Sequence, residues 1–275
     1  MTGFFRSLIV FTDVTAAADT SPTTPRLSFL LVHGAWHRSG SWDPVREALA
    51  ADGWTARTVD LPSAGPQRTP AAGMYDDADA VAAHLRQAVG PVIVVGHSYG
   101  GLPVTQAAAG PPAAAHLVYL AAYLPEEGES LLSIHGHHGS QDEDLNGTAP
   151  VVFDDPRTAL FGDLPDEQAE DAVGRLVTQS RRSFQQRVTR AAWRTVPSTY
   201  VLCERDKALP PALQGRMSAR AAHVERLNTG HSPFLSAPAE LAALLGRIGA
   251  KAARPSPDRG GRERARPRGD RGRGQ

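Results

Sequence analysis

The chain has 275 residues, with 29 Lys+Arg against 29 Asp+Glu; that length permits one large domain with a buried core. An apolar content of 41% excludes a wholly disordered chain, the single cysteine, Cys203, excludes a disulfide framework or a multi-cysteine metal site, and no window supplies the ~20 apolar residues of a membrane-spanning helix. The zero net charge has two poles: residues 251–275 hold nine basic and three acidic groups (net +6), and the other 250 hold 20 basic and 26 acidic ones (net −6), a sign that argues against a nucleic-acid-binding core.

Residues 1–25 read as a flexible N-terminal extension ending in the Ser/Thr/Pro-rich stretch Thr20–Pro25. Its apolar run is cut short by Asp13, so a cytoplasmic location is expected, with secretion as the alternative. From Arg26 the pattern becomes regular. Ser28–Val32 is a continuous apolar run, read as a buried strand. A helix from Asp43 through Ala51, a strand over Trp54–Val59 and a helix over Tyr75–Val89 follow. Pro91–Val95 and Leu117–Ala122 read as strands around a helix at Leu102–Ala109. Strands at Thr199–Cys203 and Val224–Leu227 and a closing helix from Pro238 to Ile248 complete the set. Continuous apolar strands alternating with helices imply an α/β fold whose mostly parallel sheet is covered on both faces. Residues 124–196 interrupt the alternation. They lack strand-like runs, contain helical stretches at Asp166–Val177 and Phe184–Trp193, and read as a helical cap over one end of the sheet. The expected division is 1–25, 26–250 and a disordered basic tail at 251–275.

The chemistry concentrates in Gly96-His97-Ser98-Tyr99-Gly100-Gly101. A G-x-S-x-G between an apolar strand and a helix is a nucleophile elbow, whose sharp turn requires small neighbours and exposes the serine hydroxyl. A serine needs a base. Of ten histidines, only His231 lies after the last strand and before the last helix. The imidazole needs an acid to orient it. Glu204 and Asp206 end the penultimate strand; Asp206 is preferred because the loop begins there, with Glu204 the alternative. The oxyanion requires backbone N–H donors. Tyr99 follows the nucleophile, and Ala35 lies in the loop after the first strand, where Gly34 permits close approach. His33 reads as a brace for that loop.

These residues, in the order Ser98…Asp206…His231, resemble the α/β-hydrolase superfamily over about Leu27 to Ala250. Three features are similar to the branch of small methyl esterases and hydroxynitrile lyases. They are His33-Gly34-Ala35-Trp36-His37 with Ser41-Trp42, the Gly-His-Ser-Tyr-Gly-Gly elbow, and Ala121-Ala122-Tyr123-Leu124-Pro125 with Gly128-Glu129-Ser130. The resemblance implies the α/β-hydrolase fold with a cap inserted before the penultimate strand, and a serine esterase acting on an uncharged or weakly polar ester or lactone. In the plant lyases of this branch a threonine replaces the oxyanion-loop glycine and a lysine follows the catalytic histidine. Gly34 and Ser232 stand there in this sequence, so the residues look like those of an esterase. A lyase, thioesterase or cyclase, or a ligand receptor with a retained triad, are the alternatives. The cap implies a pocket, with Trp36, Leu131, Leu132, Phe153, Leu160, Phe161, Phe184 and Trp193 as candidate lining.

No cofactor is expected. His135, His137 and His138 can chelate in principle, but their glycine neighbours point to a loop, so no metal is expected either. The expected partner is a small-molecule ester, with no nucleic acid and no membrane, and a homodimer is compatible with the sequence.

Overall fold

A computed structural model of the chain describes residues 27–65, 72–110, 114–137 and 147–253. The expected N-terminal extension, the basic tail beyond Ala253, His138 and the acids at 142–144 lie outside these residues. In chain order the elements are β1 (Ser28–Val32), α1 (Asp43–Ala51), β2 (Thr55–Val59), β3 (Ala64–Gly65), α2 (Met74–Arg86), β4 (Val92–His97) and α3 (Gly101–Ala107). Then come β5 (His116–Leu120), α4 (Leu131–Ile134), β6 (Thr148–Ala149), α5 (Pro156–Phe161), α6 (Asp166–Gly174), β7 (Thr178–Ser180) and α7 (Arg181–Gln185). The chain continues through β8 (Ser198–Cys203), α8 (Pro211–Ser218), β9 (His223–Leu227), α9 (Pro233–Ser236) and α10 (Pro238–Ala252).

Six strands form the main sheet in the order β2-β1-β4-β5-β8-β9. Every pairing within it is parallel. The pleat sends alternate residues to opposite faces. Leu30, Val32, Val92 and Val94 join the core formed with α2, α3 and α8. Phe29, Leu31, Ile93 and Val95 face the core formed with α1 and α10. That two-sided burial is why the central strands are continuous apolar runs instead of alternating ones. The edge strands β2 and β9 carry exposed polar residues. Among the described residues no helix is long and apolar enough to cross a membrane.

The cap departs from its sequence reading in two places. Two short strands lie inside it, β6 and β7, and they pair with β3 as a three-stranded sheet in the order β3-β7-β6. Two- and three-residue strands leave no periodic trace in the sequence. The helix expected over Phe184–Trp193 ends at Gln185 and resumes only as a single turn at Ala192–Arg194. The segment between them is drawn into other hydrogen bonds: Val188 N–H donates to Glu129 O at 2.8 Å and Thr189 N–H to Gln106 Oε1 at 2.8 Å.

Candidate active site

The turn from β4 into α3 holds Ser98 at φ +51°, a left-handed conformation that costs a non-glycine residue energy and marks a constrained site. Close packing holds it there. A β-carbon at Gly101 would collide with the Tyr123 carbonyl oxygen, and Tyr123 N–H in turn donates to Ser98 O at 3.1 Å. Gly101 therefore lets the segment after β5 press against the elbow.

His231 lies in the loop after β9 and is 3% exposed. Its Nδ1 is 2.7 Å from Asp206 Oδ2. Asp206, in the turn after β8, is equally buried, and its carboxylate is fully engaged. Oδ1 accepts from the Ala208 and Leu209 N–H groups, both at 2.8 Å, and Oδ2 accepts from Gln214 Nε2 at 3.0 Å as well as from His231. A carboxylate so placed can only accept from Nδ1, so His231 carries its proton there and leaves Nε2 to act as a base. Glu204 instead pairs with Arg226 on the surface.

Three further histidines pack around this centre, each with its pKa lowered by burial. His33 Nδ1 donates to Gly34 O at 2.9 Å while its Nε2 accepts Leu61 N–H at 3.0 Å. It braces the loop after β1, and burial lowers its pKa to about 4. His37 Nδ1 donates to Ala35 O at 2.7 Å, and burial lowers this pKa to about 4 as well. His97 Nε2 donates to His231 O at 2.9 Å. Burial, with the neighbouring His231 next, holds His97 well below the usual imidazole range.

The loop after β1 reaches Ser98 directly. A β-carbon on Gly34 would lie 2.8 Å from His97 Nδ1, so this backbone approaches as only glycine allows. Ala35 follows, buried, and both Ala35 and Tyr99 line the same cavity as Ser98 and His231. Trp36 sits at φ +61°. Its N–H is already taken by Gln179 Oε1 at 3.2 Å and its indole N–H by Ala149 O at 3.1 Å, so two cap strands grip this loop.

The shared cavity has a volume of about 340 Å³. Trp36, Leu131 and Phe153 line it, with Leu132, Leu160, Phe184, Leu209 and Tyr123. Trp36 meets the edges of Phe153 and Phe184 at centroid distances of 6.1 and 5.6 Å. Phe161 and Trp193 are not part of it. Phe161 follows the cavity-lining Leu160 on α5 but turns into a small cap core with Ala169, against the His37 ring. Trp193 donates its indole N–H to Pro125 O at 2.8 Å and lies under the Arg194 guanidinium. A larger cleft of about 500 Å³ between α6 and the start of α1 contains neither Ser98 nor His231. His135 Nε2 lies 2.8 Å from Tyr123 Oη at the cavity wall.

Two buried glutamines escaped the sequence reading. Gln214, on α8, accepts Cys203 N–H at 3.0 Å and donates to Asp206 Oδ2 and Leu209 O, clamping the acid loop. Gln179 holds the loop after β1 through Trp36 N–H. Neither stands in a motif; Gln214 shares its buried helix face with Leu213, Met217 and Ser218, a mix that carries no mark of its role.

The described geometry matches known proteins. The model of the Alpha/beta hydrolase family matches residues 29–244. The alpha/beta hydrolase nvfD of Aspergillus novofumigatus is 27% identical over 230 residues, covering 77% of this chain and 92% of that one. Methylesterase 10 of Arabidopsis thaliana is 24% identical over 257 residues, covering 81% and 92%. Among solved structures, a pyrethroid hydrolase from Sphingobium faniae JZ-2 superposes with a TM-score of 0.65 at 25% identity, covering 82% of this chain and 98% of that one. The chain belongs to the alpha/beta hydrolase family.

Proposed function

We propose that the protein is a serine hydrolase that cleaves a carboxylic ester or lactone through Ser98, His231 and Asp206. The observation that carries this reading is the buried His231–Asp206 pair, whose His231 lines one apolar cavity together with the strained Ser98. His231 Nε2 takes the Ser98 proton as Oγ attacks the ester carbonyl. The Tyr99 and Ala35 N–H groups hold the negative oxygen of the tetrahedral intermediate. His231 then returns the proton to the leaving alcohol. Water, deprotonated by the same histidine, releases the acid from the acyl-enzyme. Apart from the water consumed, this chemistry calls on groups of the chain alone.

The apolar wall of Trp36, Leu131, Phe153 and Phe184 suits an uncharged acyl or alcohol group. The test is turnover of p-nitrophenyl and methyl esters by wild type and Ser98→Ala. The variant is expected to keep the fold and lose activity by at least about a thousandfold. Isotope-labelled water must appear in the acid product; an unlabelled product would point to cyclisation or lyase chemistry. Wild-type turnover in Ser98→Ala would overturn the assignment.

A further inference from the structure

One buried network lies outside this mechanism. Asp77, on α2, is fully buried, and burial raises its pKa to about 6. Its Oδ2 accepts the Tyr99 hydroxyl at 2.5 Å and the Ser63 hydroxyl at 2.5 Å, and its Oδ1 accepts Ser63 N–H at 2.9 Å. Ser63 Oγ in turn accepts from Gln179 Nε2 at 2.6 Å. Gln179 Nε2 also donates to Ser183 Oγ at 2.8 Å, and its Oε1 accepts Trp36 N–H. Tyr99, Ser63, Gln179 and Ser183 are all fully buried.

The two ends of this chain are the two halves of the oxyanion hole. Tyr99 supplies one N–H from the elbow. Trp36 follows Ala35, which supplies the other. The Trp36 backbone is held in a left-handed conformation that tryptophan rarely adopts, so something must fix the peptide that precedes it. Gln179 does so from β7, a strand of the cap. Val177 N–H adds a second tie, donating to Trp36 O at 2.8 Å.

We infer that Gln179, Ser63 and Asp77 are positioning residues that set the spacing between the Ala35 and Tyr99 N–H groups, so that the cap and the oxyanion hole move as one body. The inference rests on the esterase reading above. Oxyanion donors act by pre-organisation, and their stabilisation is felt by the tetrahedral state far more than by the bound ester. Loosening the network therefore lowers kcat more than it raises KM.

A trifluoromethyl ketone reports on this directly. Ser98 Oγ adds to its carbonyl carbon, the Ser98 proton passes to His231, and the former carbonyl oxygen becomes an anion in the oxyanion hole. Gln179→Met removes the acceptor for Trp36 N–H. Tyr99→Phe removes one hydroxyl and is the milder change should Gln179→Met fold poorly. Active sites are titrated first with a fluorophosphonate, so that misfolded protein does not count. For Gln179→Met, kcat/KM is expected to fall about 10- to 100-fold with KM changing less than about threefold. The ketone Ki is expected to rise by the same factor as kcat/KM falls. Tyr99→Phe should lie on the same proportional line with a smaller displacement. Variants that lose turnover but keep the wild-type Ki, or that lose neither, overturn the inference while leaving the esterase reading standing. A wild-type protein that neither labels with the fluorophosphonate nor binds the ketone overturns both.

Discussion

A β-carbon on Gly34 would stand 2.9 Å from Cβ of Ser98. The backbone at Gly34 and the side chain of Ser98 thus leave no room for a methyl group between them. The other obstacle, His97 Nδ1, belongs to a fully buried ring held through its Nε2 by His231 O and cannot yield. Gly34→Ala is therefore predicted to push the loop away from Ser98. The expected cost is about 1–3 kcal/mol of stability and at least about a tenfold loss of kcat. Denaturant unfolding and titrated kinetics measure the two; a wild-type kcat would show that the loop has slack.

Asp206 offers a cleaner separation of charge from shape. In Asp206→Asn the side-chain oxygen can still accept the Ala208 and Leu209 N–H groups. The new amide then faces Gln214 Nε2 and His231 Nδ1, donor against donor. The imidazole escapes by moving its proton to Nε2, where it can no longer accept from Ser98. The expected loss in kcat is about 10⁴-fold with near-normal KM. Activity within about tenfold of wild type would show that another group orients His231.

Gln214 carries four hydrogen bonds with no exposed surface. Gln214→Met preserves its length and apolar stem but strands Cys203 N–H and Leu209 O, among others. A destabilisation of about 2–4 kcal/mol is expected. The lateral support of Asp206 goes with it, so kcat should fall even at temperatures where the variant remains folded. Thermal unfolding together with kinetics well below the transition distinguishes the two effects.

The pH dependence of stability has two opposing sources. His33 and His37 bind protons in the unfolded chain near pH 6.5 but in the fold only near pH 4, because burial disfavours the charged ring. Between these values the unfolded chain holds more protons, so acid favours unfolding, and each ring contributes up to about 3 kcal/mol. His97 acts in the same direction. Asp77 acts in the other: its folded pKa of about 6 lies above the ordinary 3.8, so its protonation in the fold adds stability as pH falls through 6 toward 4. Wild type should lose stability from pH 6.5 to 4. Asp77→Asn should lose it more steeply, by up to about 3 kcal/mol across that window. Parallel urea titrations at pH 4.5 and 7 would read this difference, and equal slopes would refute it.

The placement of Ser98, His231 and Asp206 was largely legible in the sequence. Strand, glycine-serine-glycine turn and helix fall together in sequence around Ser98, because an elbow is a local structure. His231 and Asp206 follow strand ends, so counting strands placed them. Gln179 and Trp36 could not be paired in this way. They are 143 residues apart, and a glutamine on a three-residue strand carries no periodic mark. The pocket aromatics show the same limit. Phe153, Phe161 and Trp193 are equivalent as cap aromatics in the sequence, yet only Phe153 reaches the cavity. Which way a side chain turns is decided by tertiary packing, as the neighbours Leu160 and Phe161 show.

The small sheet β3-β7-β6 ties the cap to a distant part of this chain. Its edge strand, Ala64–Gly65, comes from the segment before α2, far upstream of the cap proper, and Ser180 N–H reaches back to Ser63 O at 2.8 Å. The cap is accordingly not a detachable cassette. A chimera that imports residues 124–196 from a relative would seat foreign strands on a native Ala64–Gly65 and a foreign partner against Trp36. A cap exchanged into this chain should therefore fold well only if the short stretch around Ser63–Gly65 travels with it.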